Sequence, residues 1–168
     1  MTQKQKRVIR PKVGDIFEVL LKNGTKGYVQ YIGNDITQLN SDVVRIFKKR
    51  YSSDVTPSLE EIVKGEIEFY AHVVGVEVGE EDGSWKRIGN SKELGDPKAP
   101  FFRDSRDFGN KVKISERWSV WHMNEEMIYV GKLDGENVRA DIGYVTWPQK
   151  VIERMQTGKY SDSYPDYK

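Results

Sequence analysis

The sequence predicts a mainly β protein of the α+β class: a bent antiparallel sheet or partly open barrel with two short helices. Three observations lead there. Apolar residues alternate with a period of two in most patterned segments. Turns rich in Gly and Asn separate those segments. The two helical stretches do not alternate with strands as βαβ units require. At 168 residues the chain is long enough for a single domain with its own core.

The elements follow in order. Residues 1–12 carry Lys4, Lys6, Arg7, Arg10 and Lys12 with no acid, a basic tail that reads either as a nucleic-acid arm or as a solvated terminus. "GDIFEVLLKNGTKGYVQYIG" (14–33) is a β-hairpin. Its Asn23-Gly24 tip suits a type I′ turn, which sets Val19 opposite Tyr28 and Ile16 opposite Tyr31. Both faces of this pair are apolar, which places it inside a curled sheet. "SDVVRIFKKRY" (41–51) is a third strand. "TPSLEEIVKG" (56–65) is a short helix, with Thr56 as N-cap and Pro57 in the first turn. "EIEFYAHVVGVEV" (66–78) is a long strand, paired with "SWKRIG" (84–89) across the turn "GEEDG" (79–83).

Residues 89–112 hold Gly89, Gly95, Pro97, Pro100 and Gly109 without sustained periodicity, and read as a long loop. "ISERWSVWHM" (114–123) and "MIYVGKL" (127–133) are two strands joined through residues 123–126. "RADIGYVTW" (139–147) is partly extended. Pro148 opens the second helix and Gly158 closes it, with Val151, Ile152 and Met155 as its apolar stripe. Residues 159–168 form a polar, Tyr-rich tail expected to be loose.

Composition narrows function. Net charge is +1, so no strong overall field draws the chain to nucleic acid or membrane. There is no cysteine, which excludes disulfides and thiolate chemistry. No apolar run is long enough to span a bilayer and the first residues do not read as a secretory signal, so the expected compartment is the cytoplasm.

No motif with a catalytic mechanism emerges. His72 and His122 are the only histidines, and no metal-ligand spacing joins them. Each reads as a packed strand residue, although Glu125 and Glu126 near His122 leave room for acid–base work. The sequence has no nucleophile elbow and no Gly-rich phosphate loop. The expectation is a protein without catalysis, cofactor or metal. "RIFKKRY" (45–51) interleaves basic and aromatic residues, which suits either a nucleic-acid-binding SH3-like barrel or a charged strand end.

The remaining candidates suit a protein partner. Glu80, Glu81 and Asp82 form an acidic tip with Glu77 close before it. Phe101 and Phe102, with Arg103 beside them and Phe108 further on, offer anchors in the long loop, or else pin that loop to the core. Trp118 and Trp121 fall on opposite faces of one strand, so one is expected in the core and the other exposed as an interface anchor.

Two stretches carry a family resemblance. "RPKVGDIFEVLLKNGTKGYVQYIG" resembles the start of the immunity protein 26 family of bacterial polymorphic-toxin systems, with its Gly-Asp opening, hydrophobic-aromatic strand, Gly-containing turn and second strand holding Gly and Tyr. "MIYVGKLDGENVRADIGYVTWPQKVIERMQTGKY" (127–160) is similar to that family's ending, where a Val-Gly strand leads to a Pro-initiated helix. The resemblance implies a mainly β fold and a non-enzymatic role, the binding and neutralising of a cognate toxin. It supplies no catalytic residues and leaves the toxin, the contact face and the oligomeric state open.

Overall fold

The computed structural model describes residues 9–168, so Lys4, Lys6 and Arg7 of the expected basic tail lie outside the described residues. The hairpin opens the fold as β1 (Asp15–Leu20) and β2 (Thr25–Asp35). Its register is one residue away from the expected one: Val19 faces Gly27 and Ile16 faces Gln30. The turn is the cause. Gly24 alone takes a positive φ, 79°. Asn23 stays right-handed, and its side-chain oxygen accepts from the Thr25 amide at 3.1 Å. A type I turn followed by a left-handed glycine makes a three-residue loop, closed where the Leu21 amide donates to the Thr25 carbonyl at 2.9 Å.

β3 (Ser41–Phe47) follows, then β4 (Tyr51–Ser52), α1 (Leu59–Val63) and β5 (Ile67–Val73). The N-cap of α1 is Ser58, not Thr56; the Ser58 hydroxyl accepts from the Glu61 amide at 3.1 Å. The long strand expected over 66–78 ends at Val73, and α2 (Val76–Glu81) takes its place. Its packing explains the change. Trp85 donates its indole N–H to the Val76 carbonyl at 2.9 Å and fills the space beside Gly79, where a Cβ would come within 2.2 Å of the ring. Consequently β6 (Lys86–Asn90) pairs with β1 rather than β5.

The segment 89–112 also holds a strand, β7 (Phe101–Ser105), which pairs with β8 (Trp118–His122); β9 (Ile128–Gly131) pairs with the other side of β8. A 3₁₀ turn (Gly135–Arg139) leads to β10 (Asp141–Ile142), β11 (Val145–Thr146) and α3 (Pro148–Thr157), so the described residues hold three α-helices where two were expected. Gly158 ends α3 in the left-handed conformation, as the sequence predicts.

The strands form two mixed sheets, neither closed into a barrel. The first runs β11-β5-β3-β2-β1-β6, with β4 on β2, and the second runs β10-β7-β8-β9. Among the described residues, all pairings between these strands are antiparallel except β11 on β5 and β10 on β7. The first sheet is covered on both sides. On one face Phe17, Val19, Val29, Ile46 and Phe69 pack with Val76, Trp85 and the Val151–Met155 stripe of α2 and α3. The other face carries Ile16, Tyr28 and Phe47 beneath α1, and further along Val43 meets Phe102 and Trp121 of the second sheet.

The polar centre of that second face ties down the long segment. Arg45, 3% exposed, donates to the Gln30 side-chain oxygen at 2.8 Å and to the Glu93 carbonyl at 2.8 Å. Gln30 donates in turn to the Ser91 carbonyl at 3.2 Å. The last ten residues are not loose. Tyr160 is buried, and the Ser115 amide donates to the Asp166 carbonyl at 2.8 Å while the Asp166 amide donates back to the Lys113 carbonyl at 2.8 Å.

Candidate partner-binding surface

The aromatic residues singled out in the sequence are brought together, but inside. Trp118, Trp121, Phe102 and Phe101 are 0%, 1%, 0% and 7% exposed. The two tryptophans do lie on opposite faces of β8. Both are covered because the second sheet packs on both sides: Trp118 with Phe101, Val120 and Leu133, Trp121 with Val43 and Phe102. The exposed tryptophan anchor expected at 118 or 121 is therefore absent there. Arg103 is half-buried; it donates to the Ala140 carbonyl at 3.2 Å and lies over the rings of Trp118 and Tyr167. Burial lowers its pKa, and its work is to brace the C-terminal segment.

The histidines belong to the interior as well. His72 and Asp35 are both 0% exposed, with the imidazole Nε2 3.0 Å from Asp35 Oδ2. Trp121 donates its indole N–H to the same oxygen at 2.9 Å, and Asp35 Oδ1 accepts from the Asn124 amide at 3.0 Å and the Gln38 amide at 3.2 Å. His72 Nδ1 is buried without a partner. This hub joins the end of β2 to β5, β8 and the 123–126 turn. His122 stacks on Phe101 with centroids 4.5 Å apart. Among the described residues no group of three or more His, Asp or Glu gathers to hold a metal ion.

The basic–aromatic stretch 45–51 offers no free cationic stripe. Arg45, Phe47 and Tyr51 are buried. Lys48 pairs with Glu66 at 3.2 Å, Lys49 with Glu61 at 3.0 Å and Arg50 with Glu68 at 2.6 Å. A charged strand end, neutralised by its neighbours, is what the structure contains.

The acidic residues fare differently. What reads as a turn tip is helix α2 and its C-cap Asp82, and its carboxylates take different partners. Glu80 turns to Arg87, at 2.5 Å, and Arg87 also reaches Asp15 at 3.3 Å. Asp82 is exposed and hydrogen-bonds the side-chain amide of Gln149 at the start of α3. Glu81 is exposed, and with Glu77 and Asp42 it lines a cavity of ≈ 370 Å³ closed by Tyr31, Pro11 and Arg10.

Asp42 is held in place at the cavity wall. Its Oδ1 accepts from the Tyr31 hydroxyl at 3.0 Å and the Asn34 amide at 3.3 Å, and its Oδ2 from the Val76 amide at 3.2 Å. Burial, and then the neighbouring Asp42 charge, push the Tyr31 hydroxyl well above its usual range, so it remains a proton donor to Asp42 at every physiological pH. The cavity therefore presents three carboxylates to solvent-accessible space, and the protein's own Arg10 lies at its edge.

Beside α2 lies an apolar exposure that the sequence reading missed. Val74, two residues before the helix, is 42% exposed, and Trp147, the N-cap of α3, is 57% exposed. Val74 donates its amide to the Thr146 carbonyl at 3.0 Å, which brings the two segments together. A signal was available at Trp147. The residue before Pro148 is forced to extended backbone at a helix start, where its side chain leaves the helical stripe. Tyr31 and Asp42 had no such signal, because their partnership crosses strands.

A family model described as immunity protein 26 matches residues 12–113. The match contains the hairpin at 14–33 and runs through α2 and β7, and it stops before residues 127–160. No curated protein and no solved structure matches the chain.

Proposed function

The chain belongs to the immunity protein 26 family, and from that premise we propose that it neutralises a cognate bacterial toxin by binding it stoichiometrically, without catalysis. In this reading it acts in the cytoplasm of the toxin-producing cell, and its contact face is the α2 surface. The observation that carries the choice of face is the cavity lined by Asp42, Glu77 and Glu81; α3, which contacts α2, begins after the exposed Trp147. An acidic recess with room for a long side chain suits an Arg or Lys of the partner, and a protruding tryptophan is the residue type that most often anchors an interface. Arg10, which lines the same cavity, supports a cationic occupant.

The test is co-purification with the product of the adjacent toxin gene, followed by calorimetry. A one-to-one complex is expected. Trp147→Ala, and separately the pair Glu77→Lys and Glu81→Lys, should weaken it by roughly thirtyfold or more, the cost of losing an interface hot spot. Wild-type affinity in both variants would move the contact face elsewhere. Failure to form any complex, with no protection of cells from the toxin, would remove the functional reading itself.

A further inference from the structure

Sheet edges expose unpaired backbone groups, and proteins ordinarily guard them with charge or brevity. The edge strands here follow that rule with one exception. β6 carries Lys86 and Arg87, and β10 and β11 are two residues long. β9 is four residues, Ile-Tyr-Val-Gly, with no charged side chain, and among the described residues no strand pairs with its outer edge. Ile128 is 62% exposed and Tyr129 52% exposed. Arg106 lies over the Tyr129 ring at 4.5 Å, which holds the ring in place without covering the backbone edge.

The flanks of this strand are complementary to each other. Glu125 and Glu126 precede it and Lys132 follows it, all three exposed. We propose that β9 pairs antiparallel with β9 of a second copy of this chain, joining two four-stranded sheets across a two-fold axis. The register centred on Tyr129 sets Tyr129 opposite Tyr129 and Ile128 opposite Val130, and it brings Glu126, which precedes the strand, and Lys132, which follows the left-handed Gly131, to the same end from the two copies. Opposite charges at both ends and an aromatic pair in the middle are the cross-strand contacts that stabilise antiparallel sheets. A two-fold axis satisfies both ends at once, because the same patch serves on each subunit. A parallel pairing would instead set Glu against Glu and Lys against Lys. A strand this short makes a small interface, so the dimer forms in a concentration-dependent manner. The proposal does not depend on the toxin or on the α2 face.

Sedimentation velocity on the full chain, without any partner, tests it over a wide range of protein concentration. The wild type should shift from monomer towards dimer as concentration rises, and the amides of 128–130 should gain protection from hydrogen exchange in step. Glu126→Lys and Lys132→Glu, each at an exposed position that leaves the core intact, should each be monomeric. The double variant, with the charges exchanged, should recover the dimer. A wild type that stays monomeric at its highest soluble concentration overturns the proposal, as does a dimer unaffected by either single reversal. Protection of 128–130 by toxin alone, with no self-association, would overturn it in favour of a partner strand.

Discussion

Asp35 gathers hydrogen bonds from four separate segments, and His72 is the donor among them that can change charge. Burial lowers the pKa of the His72 imidazole, and its hydrogen bond to Asp35 offsets that only in part. In the unfolded chain the same ring titrates near pH 6.5. Below that pH the unfolded state takes up a proton that the folded state refuses, so stability is lost as pH falls; above it both states are neutral and the group adds no slope. Asp141 has the opposite tendency, since burial raises its carboxyl pKa. The contribution of His72 is therefore isolated by difference. Urea unfolding at about pH 7.5 and about pH 5 should show a fall in stability for the wild type that is clearly smaller in His72→Gln. An equal fall in both proteins would assign the acid sensitivity elsewhere.

Among the elements, α1 shows how far local signals reach. The sequence places a short helix there correctly, yet chooses Thr56 as cap when Ser58 does the capping. Both residue types cap well, so type alone does not decide. Position does: Ser58 is the residue whose hydroxyl meets the Glu61 amide. Ser58→Ala should cost about 1 kcal/mol in chemical denaturation and Thr56→Ala close to nothing. The same limit explains the other departures. The third strand, the two strands either side of 123–126 and the closing helix were legible because period, turn and cap agree within each. The hairpin register was not, because both faces are apolar and a one-residue slip leaves the pattern equally satisfied. Helix α2 was hidden because Val-Glu-Val alternates like a strand, and what bends it into a helix is Trp85 from the following segment. The burial of the aromatic candidates was hidden for a related reason. Trp118, Trp121, Phe101 and Phe102 were rightly recognised as large apolar groups, but a strand's alternation does not reveal that a second layer covers both of its faces.

For the molecule as a whole, the C-terminal segment closes the second sheet. Tyr164 lies 5.8 Å from Trp118 and its hydroxyl donates to the Arg103 carbonyl at 3.2 Å, while Tyr167 stacks beneath the Arg103 guanidinium. Tyr160 packs edge-on to Phe69 of the first sheet. Ending the chain after Gly158 removes all three rings and uncovers Trp118. The truncated protein should lose at least about 3 kcal/mol, the cost of deleting one buried aromatic, and melt at a clearly lower temperature. An unchanged melting temperature would show the segment to be dispensable.

The short run from Asp141 to Thr146 has a consequence in time. It contributes β10 to one sheet and β11 to the other, with Gly143 between them so close to Trp121 that a Cβ would come within 2.2 Å of its ring. Neither sheet has its full set of strands until this run has left the ribosome, and the helix that seals the larger core comes later still. The two sheets are therefore completed together, by one short stretch of chain, and not one after the other.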